Sequence, residues 1–310
     1  MTGRTMLLDS ASLYFRGFYG VPDTVRAPDG TPVNAVRGFL DIIAKLVTDF
    51  GPDELVACWD DDWRPRWRVD LIPSYKAHRV AEENPGGVDV EETPEALVRQ
   101  VPIIREVLGA IGIPIVGAAQ HEADDVIGTL ATGAAHPVDV VTGDRDLFQL
   151  VDDAADVRVI YTARGMSNLQ TLTESVVVDK YGVRPQQYAD FAVMRGDSSD
   201  GLPGVAGIGE KTATALLTEY GDLDGILAAA ADPGSSMKAP MRARFEAAAA
   251  YLEVAPRVVE VVRDLDLPTV DARIPRPDDT QLAALSALSE KWGLGGSLER
   301  VLLALGAGQA

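Results

Sequence analysis

Arg195–Ala213 reads RGDSSDGLPGVAGIGEKTA, and two kinds of chemistry stand side by side in it. Asp197 and Asp200 lie three apart and lead straight into a segment punctuated by Gly201, Gly204, Gly207 and Gly209. Carboxylates at such spacing suit a divalent cation. The following LPGVAGIGEKTA reads as helix, tight turn, helix. Gly207 and Gly209 are expected to take positive φ and to leave backbone N–H groups pointing at a phosphate. Lys211 and Thr212 open the next helix within reach of the same oxygen. Contacts of that kind hold a duplex without identifying its bases.

Upstream, short β-branched runs alternate with helical spacing of apolar residues. Thr5–Leu8, Leu55–Trp59, Ile113–Val116, Val138–Val141 and Val157–Tyr161 read as strands. Val33–Phe50, Glu95–Ala110 and Ala123–Thr132 read as helices between them. The alternation implies an α/β fold, a mainly parallel sheet covered by helices, with ligands gathered at the carboxyl ends of the strands. Beyond Leu172 the pattern turns helical, with Glu210–Tyr220, Leu223–Ala231 and Gln281–Leu305 the clearest stretches and a strand expected at Arg257–Val262.

Acidic residues fall where this sheet would collect them. Asp9 ends the first strand and Asp60 the second; Glu122, Asp124 and Asp125 follow the third, Asp144 and Asp146 the fourth, and Asp197 and Asp200 complete the set. Packed like charges repel unless cations neutralise them. Oxygen-only ligands suit Mg²⁺ or Mn²⁺, and two such ions form a clamp for in-line displacement at phosphorus. Helix capping is the bland reading of any one of these acids, but it does not explain the whole set at strand ends.

Other motifs fail on inspection. Glu210 separates Gly209 from Lys211, which spoils a P-loop, and Thr212 stands where a dinucleotide fingerprint needs its third glycine. His121-Glu122 has Asp125 where a zinc protease needs its second histidine.

Two neighbouring segments differ in charge. Trp63–Arg79 carries Arg64, Arg66, Arg68, Lys76 and Arg79 against Asp70 alone, interleaved with Trp63, Trp67 and Tyr75. Cations meet phosphates, and an aromatic face can stack on an unpaired base. Ala81–Glu95 carries Glu82, Glu83, Asp89, Glu91, Glu92 and Glu95 with no Lys or Arg, and its Pro and Gly content predicts a mobile loop.

With 310 residues, 46% of them hydrophobic, the chain reads as globular with one or two domains. Its net charge of −19 argues at first sight against a nucleic-acid partner, although binding depends on local patches. The single Cys58 excludes disulfides and a cysteine-based zinc site and is expected in the core. The sequence shows neither a signal-peptide pattern nor an apolar run long enough for a membrane, so a cytoplasmic protein is expected.

Six ordered motifs between Met6 and Tyr220 resemble the 5′-nuclease (flap endonuclease) family. They are Asp9 with Leu13-Tyr14-Phe15-Arg16, Ser74–Arg79, Glu122–Gly128, Thr142–Asp146, Gly196–Asp200 and the glycine hairpin. The resemblance is strongest to the 5′–3′ exonuclease domain of bacterial DNA polymerase I. It implies a PIN-like core over 1–171, with a helical arch within 63–95. It further implies a helical region over 172–310 with a helix–three-turn–helix element near 185–220 and C-terminal helices packed on the core. Metal-dependent hydrolysis of DNA 5′ flaps, nicks, gaps and ends is implied, in replication and repair, by a monomer associated with the nucleoid, alongside a separate polymerase and ligase. Arg16, Arg68, Lys76 and Arg79 match the family's basic site positions, Tyr75 matches an aromatic on which a terminal nucleotide stacks, and K⁺ is implied at carbonyls of Leu202–Gly209. A non-cleaving branched-DNA binder and a PIN-type ribonuclease are the alternatives.

The chain departs from that pattern in four places. Ser10 replaces a common Gly, and Gly201 replaces the usual Asn after the final Asp. Asp60-Asp61-Asp62 offers three candidates for one position; strand-end geometry selects Asp60, while spacing to Lys76 favours Asp61. The acidic stretch 81–95 occupies the arch region and is expected to make threading of a single strand weaker or differently gated.

Overall fold

A computed structural model describes residues 3–306. Its centre is a six-stranded sheet in the order β5-β2-β1-β6-β7-β8, built from β1 (Thr5–Asp9), β2 (Glu54–Trp59), β5 (Ile115–Gly117), β6 (Val138–Thr142), β7 (Val157–Tyr161) and β8 (Gln170–Leu172). All neighbours pair in parallel except β7 and β8. The strands are apolar on both faces because both faces are covered. Along β1, Met6 and Leu8 point into one core and Leu7 into the other, all at most 1% exposed.

One face carries α1 (Ser10–Gly20), α2 (Asn34–Phe50) and, after the short α3 (Arg66–Leu71) and α4 (Glu95–Val98), α5 (Val101–Ile111). Helices α1 and α2 cross backbone to backbone: a Cβ on Gly38 would lie 2.6 Å from the Cα of Gly17. The other face carries α6 (Ala123–Thr132), α7 (Glu174–Tyr181) and α8 (Tyr188–Arg195). The glycine hairpin then leads to α9 (Glu210–Tyr220), α10 (Leu223–Ala231), α11 (Ala239–Ala247) and α12 (Ala249–Val259). The chain finally returns to the first face, where α13 (Asp279–Trp292) and α14 (Gly296–Ala304) pack on α5 and α2. Cys58 is fully buried in the core. Among the described residues no helix is long and apolar enough to cross a membrane.

Four local expectations are corrected. Residues 257–262 form no strand: α12 runs to Val259, and the extended residues that follow bond to side chains rather than to a sheet, with Val261 N–H donating to Gln149 Oε1 at 3.1 Å. The helix expected over Glu95–Ala110 breaks at Arg99–Gln100, because buried Gln100 turns its side chain to cap α2, accepting from Ala35 N–H at 2.7 Å.

The expected arch region contains no long helix. After α3 and a 3-10 turn at Ala77–Arg79, the chain forms an antiparallel hairpin of β3 (Val80–Glu82) and β4 (Val90–Glu91). Nor is this acidic stretch a free loop. Asp89 pins it, its carbonyl accepting from Trp63 Nε1 at 2.7 Å and its carboxylate from Arg64 Nη1 at 2.5 Å. The pinning residue lies far enough along the chain that local composition does not announce it.

Candidate metal centre and nucleic-acid interface

Parallel strands deliver their carboxyl ends to one edge, and the acids follow. Asp9 closes β1 and is 6% exposed; its carboxylate accepts from Thr142 Oγ1 at 2.6 Å and caps α1 through Ser12 N–H at 3.1 Å. Asp60 follows β2 and accepts from Ala123 N–H, the first residue of α6, at 2.7 Å. A cavity of about 400 Å³ opens between them, lined also by Glu122, Asp124 and Asp144 with Lys76 and Arg79. Asp61 faces elsewhere: it lies against Gly117 and lines a separate cavity beneath the β3–β4 turn together with Asp62. Strand-end geometry thus puts Asp60, not Asp61, beside Asp9.

Asp144 is the hinge between two groups of acids. Its backbone N–H donates to Thr142 Oγ1 at 2.8 Å, and its carboxylate accepts from Asp146 N–H at 2.9 Å. Burial pushes Asp124 well above the ordinary carboxylate range, with Asp144 and Asp9 adding repulsion. Burial does the same to Asp146, with Asp144, Asp200 and Asp197 adding to it. Asp60 rises to about 7 by burial and the charge of Asp9, and Asp200 to about 6 by burial against the opposing pull of Lys76. Asp9 is likewise raised by burial, against its bonds to Thr142 and Ser12. Within this band Asp197 alone is lowered: burial works against it, but the Ser199 hydroxyl at 2.5 Å, Ser199 N–H at 2.8 Å and Arg195 Nη2 at 3.3 Å outweigh that cost.

The all-oxygen donor set fits Mg²⁺ or Mn²⁺. Asp146 Oδ1 is enclosed without a hydrogen-bond partner among the described residues, as a ligand atom awaiting a cation would be. Among the described residues no three acidic, histidine or cysteine side chains stand close enough together, as placed, to hold a metal ion. Protein cations do part of the neutralising instead: Lys76 Nζ pairs with Glu122, and Arg79 Nη2 reaches Asp200 at 3.2 Å and the Ser199 carbonyl at 2.7 Å.

Three side chains hold different posts from those expected. Asp125 is fully buried and not part of the cavity wall; its oxygens accept from Arg68 Nη1 and Nη2 at 2.8 and 2.7 Å and from Val262 N–H at 2.9 Å. Arg68 is correspondingly 3% exposed, and it spans Asp125, Glu122 at 3.0 Å and the Val258 carbonyl at 3.1 Å, so it braces acids rather than facing a substrate. Tyr75 is 4% exposed and donates its hydroxyl to Glu122 at 2.6 Å, which removes its ring as a stacking platform. Arg16 sits beside Gly143, its Nε buried without a partner among the described residues.

The hairpin presents an exposed turn at Ala206, Gly207, Gly209, Glu210 and Lys211, with Thr212 half-buried. Gly207 has φ +75°, as expected, whereas Gly209 is extended at φ −103° and serves as the N-cap of α9. Arg244 on α11, a residue the sequence reading missed, lays its guanidinium on this turn and donates to the Gly207 carbonyl at 2.8 Å. The two lie 37 positions apart, too far for any local signal. Thr142 opens one of the matched motifs, but the local pattern carries no sign that its hydroxyl holds Asp9 and Asp144 together.

The chain matches the family model of the 5′-3′ exonuclease N-terminal resolvase-like domain over residues 4–182 and that of the 5′-3′ exonuclease C-terminal SAM fold over 183–280. It is 60% identical to a 5′-3′ exonuclease of Streptomyces coelicolor, across 97% of this chain and 99% of that one. It is 45% identical to DNA polymerase I of Mycobacterium bovis, across 70% of this chain and 23% of the polymerase. Among solved structures, the T5 5′-exonuclease with bound zinc superposes with a TM-score of 0.64 at 18% identity, covering 97% of this chain and 99% of that one, a likeness of fold. With both domain models matched in order and a relative of this similarity along its whole length, the chain belongs to the 5′-3′ exonuclease family.

Proposed function

We propose that this protein is a structure-specific 5′ nuclease that hydrolyses phosphodiesters of DNA at 5′ ends, nicks, gaps and flaps. The observation that carries this is the continuous band of acids from Asp60 through Asp144 to Asp200 beside an exposed glycine hairpin. Asp9, Asp60, Glu122, Asp124 and Asp144 would hold one divalent cation, and Asp144, Asp146, Asp197 and Asp200 a second. Bound Mg²⁺ or Mn²⁺ supplies Lewis acidity at the phosphate and acidifies a water.

The chain's own groups do the rest. Thr142 fixes Asp9 and Asp144 from one hydroxyl, and Arg68 keeps Asp125 and Glu122 from repelling each other. Lys76 and Arg79 stand at the cavity wall, where a scissile phosphate needs positive charge. The hairpin turn and Lys211 would hold the duplex by its phosphates, which fixes register without reading sequence. A K⁺ ion at Leu202–Gly209 would share those carbonyls with Arg244, which already engages Gly207. Work at DNA ends would take the protein to the nucleoid, as a monomer beside a separate polymerase and ligase.

Incubation with matched 5′-flap, nicked and recessed DNA and their RNA counterparts, with Mg²⁺, Mn²⁺ or EDTA, tests the proposal. Divalent-dependent cleavage of DNA near the 5′ end supports it. Binding without cleavage, or a preference for RNA, overturns it.

A further inference from the structure

The acidic hairpin is unused by the reaction described above, yet one of its side chains reaches the cavity. Glu91, on β4, lines the same wall as Asp9, Asp60, Glu122, Lys76 and Arg79. Asp9 and Asp60 reach the cavity from the ends of the main sheet's strands, whereas Glu91 reaches it from the separate β3–β4 hairpin.

That segment is held in place at both ends. Val80 pairs with Glu91, Glu92 N–H donates to the Arg79 carbonyl at 2.7 Å, and Asp89 is fastened to Trp63 and Arg64. Arg64 is itself fixed, donating to the Tyr75 and Pro73 carbonyls at 2.7 and 3.2 Å. Arg79 and Lys76 line the cavity with Glu91, and both are engaged elsewhere, Arg79 with Asp200 and Lys76 with Glu122. Among the described residues Glu91 accepts a hydrogen bond from Thr93 Oγ1 at 3.3 Å and forms no ion pair of its own, on a hairpin fastened through Asp89 and Glu92.

We propose that Glu91 is a specificity-determining residue that disfavours passage of an unpaired 5′ strand through the cavity, so that the enzyme prefers duplex ends and nicks to long flaps. The inference rests on the nuclease reading above. A strand led between β4 and the acid band carries one phosphate per nucleotide past the Glu91 carboxylate, and in a half-enclosed cavity that repulsion is weakly screened. A nicked duplex places its scissile phosphate at the cavity without drawing further phosphates past β4. Such a penalty on the wrong substrate is a common route to selectivity.

The test compares kcat/KM on a nicked duplex with that on the same duplex carrying a long single-stranded 5′ flap, with Mn²⁺, at low and near-physiological salt. Glu91→Gln keeps the side-chain shape and an oxygen that can accept from Thr93 Oγ1, as Glu91 Oε2 does at 3.3 Å, while removing charge. It is expected to raise the flap-to-nick ratio by about threefold to fivefold, the worth of one screened charge contact. The gain should shrink as salt rises. Glu83→Gln removes the same net charge at an exposed hairpin position outside the cavity, and it should leave the ratio near the wild-type value. An unchanged ratio in Glu91→Gln, or an equal rise in Glu83→Gln, overturns the inference while leaving the nuclease reading intact. A wild-type protein that cuts neither substrate removes both.

Discussion

The backbone N–H of Lys76 donates to the carbonyl of Asp200 at 2.9 Å, fastening the basic segment to the loop that bears the last two acids. Gly201 makes this junction feasible. Its φ is +70°, and a Cβ there would overlap the Ser74 carbonyl oxygen. The Asn that the family resemblance leads one to expect at this position does not fit between these two segments as they stand. Gly201→Asn should therefore destabilise the protein by about 1–3 kcal/mol and lower cleavage through displaced Lys76. Thermal unfolding and single-turnover rates, measured together, check this; a variant with unchanged melting and rate contradicts it.

Arg68 and Asp125 form a buried pair in which neither partner has water to fall back on. Arg68→Met should cost about 3–5 kcal/mol, since it strands the Asp125 charge. Denaturant unfolding reads the loss directly. A drop of less than about 1 kcal/mol would show that the pair is not the brace described here.

The buried acids Asp60 and Asp200 should contribute to stability with a pH dependence opposite to that of ordinary acid denaturation. Asp60 and Asp200 have folded values near 7 and 6, above the ordinary 3.8. Between 3.8 and those values the folded state binds more protons than the unfolded one, so the stability contributed by these groups falls as pH rises. In EDTA, their contribution is complete below about pH 4 and has gone by about pH 7. Mn²⁺ should restore it, with a melting-temperature gain that grows across the same window. Asp60→Asn should flatten the slope in EDTA, and an unaltered slope would contradict the assignment.

Arg244 is exposed and donates from Nη1 to the Gly207 carbonyl on the hairpin turn. Arg244→Ala should weaken duplex binding regardless of sequence and reduce the slope of log affinity against log salt by about one. Fluorescence anisotropy over a salt series measures both. Weaker binding with an unchanged slope would mean that Arg244 supports the turn without touching a phosphate.

The sequence made the sheet readable because parallel strands buried on both faces leave uninterrupted β-branched runs, as in Val157–Tyr161, whose bounds agree with the structure. The strand ends made Asp9, Asp60 and Asp144 legible, whereas Asp197 and Asp200 lie in the loop after α8. Features set by distant contacts were not legible. The hairpin depends on Asp89 meeting Trp63 and Arg64 across some 25 residues, and the post of Arg68 depends on Val258, 190 positions away. Capping also proved part of the truth: Asp9 does cap α1, and Asp125 accepts from the Glu122 N–H at 3.3 Å at the start of α6. One set of acids both starts helices and forms the band, which is why local pattern alone did not separate Asp125 from its neighbours.

The central claim is that the acid band performs hydrolysis while the hairpin holds DNA. Single-turnover cleavage of nicked DNA by wild type and Asp146→Ala, with DNA affinity measured in parallel, tests it most directly. Cleavage should fall by orders of magnitude in the variant with affinity and melting largely retained, whereas cleavage at the wild-type rate would contradict the account.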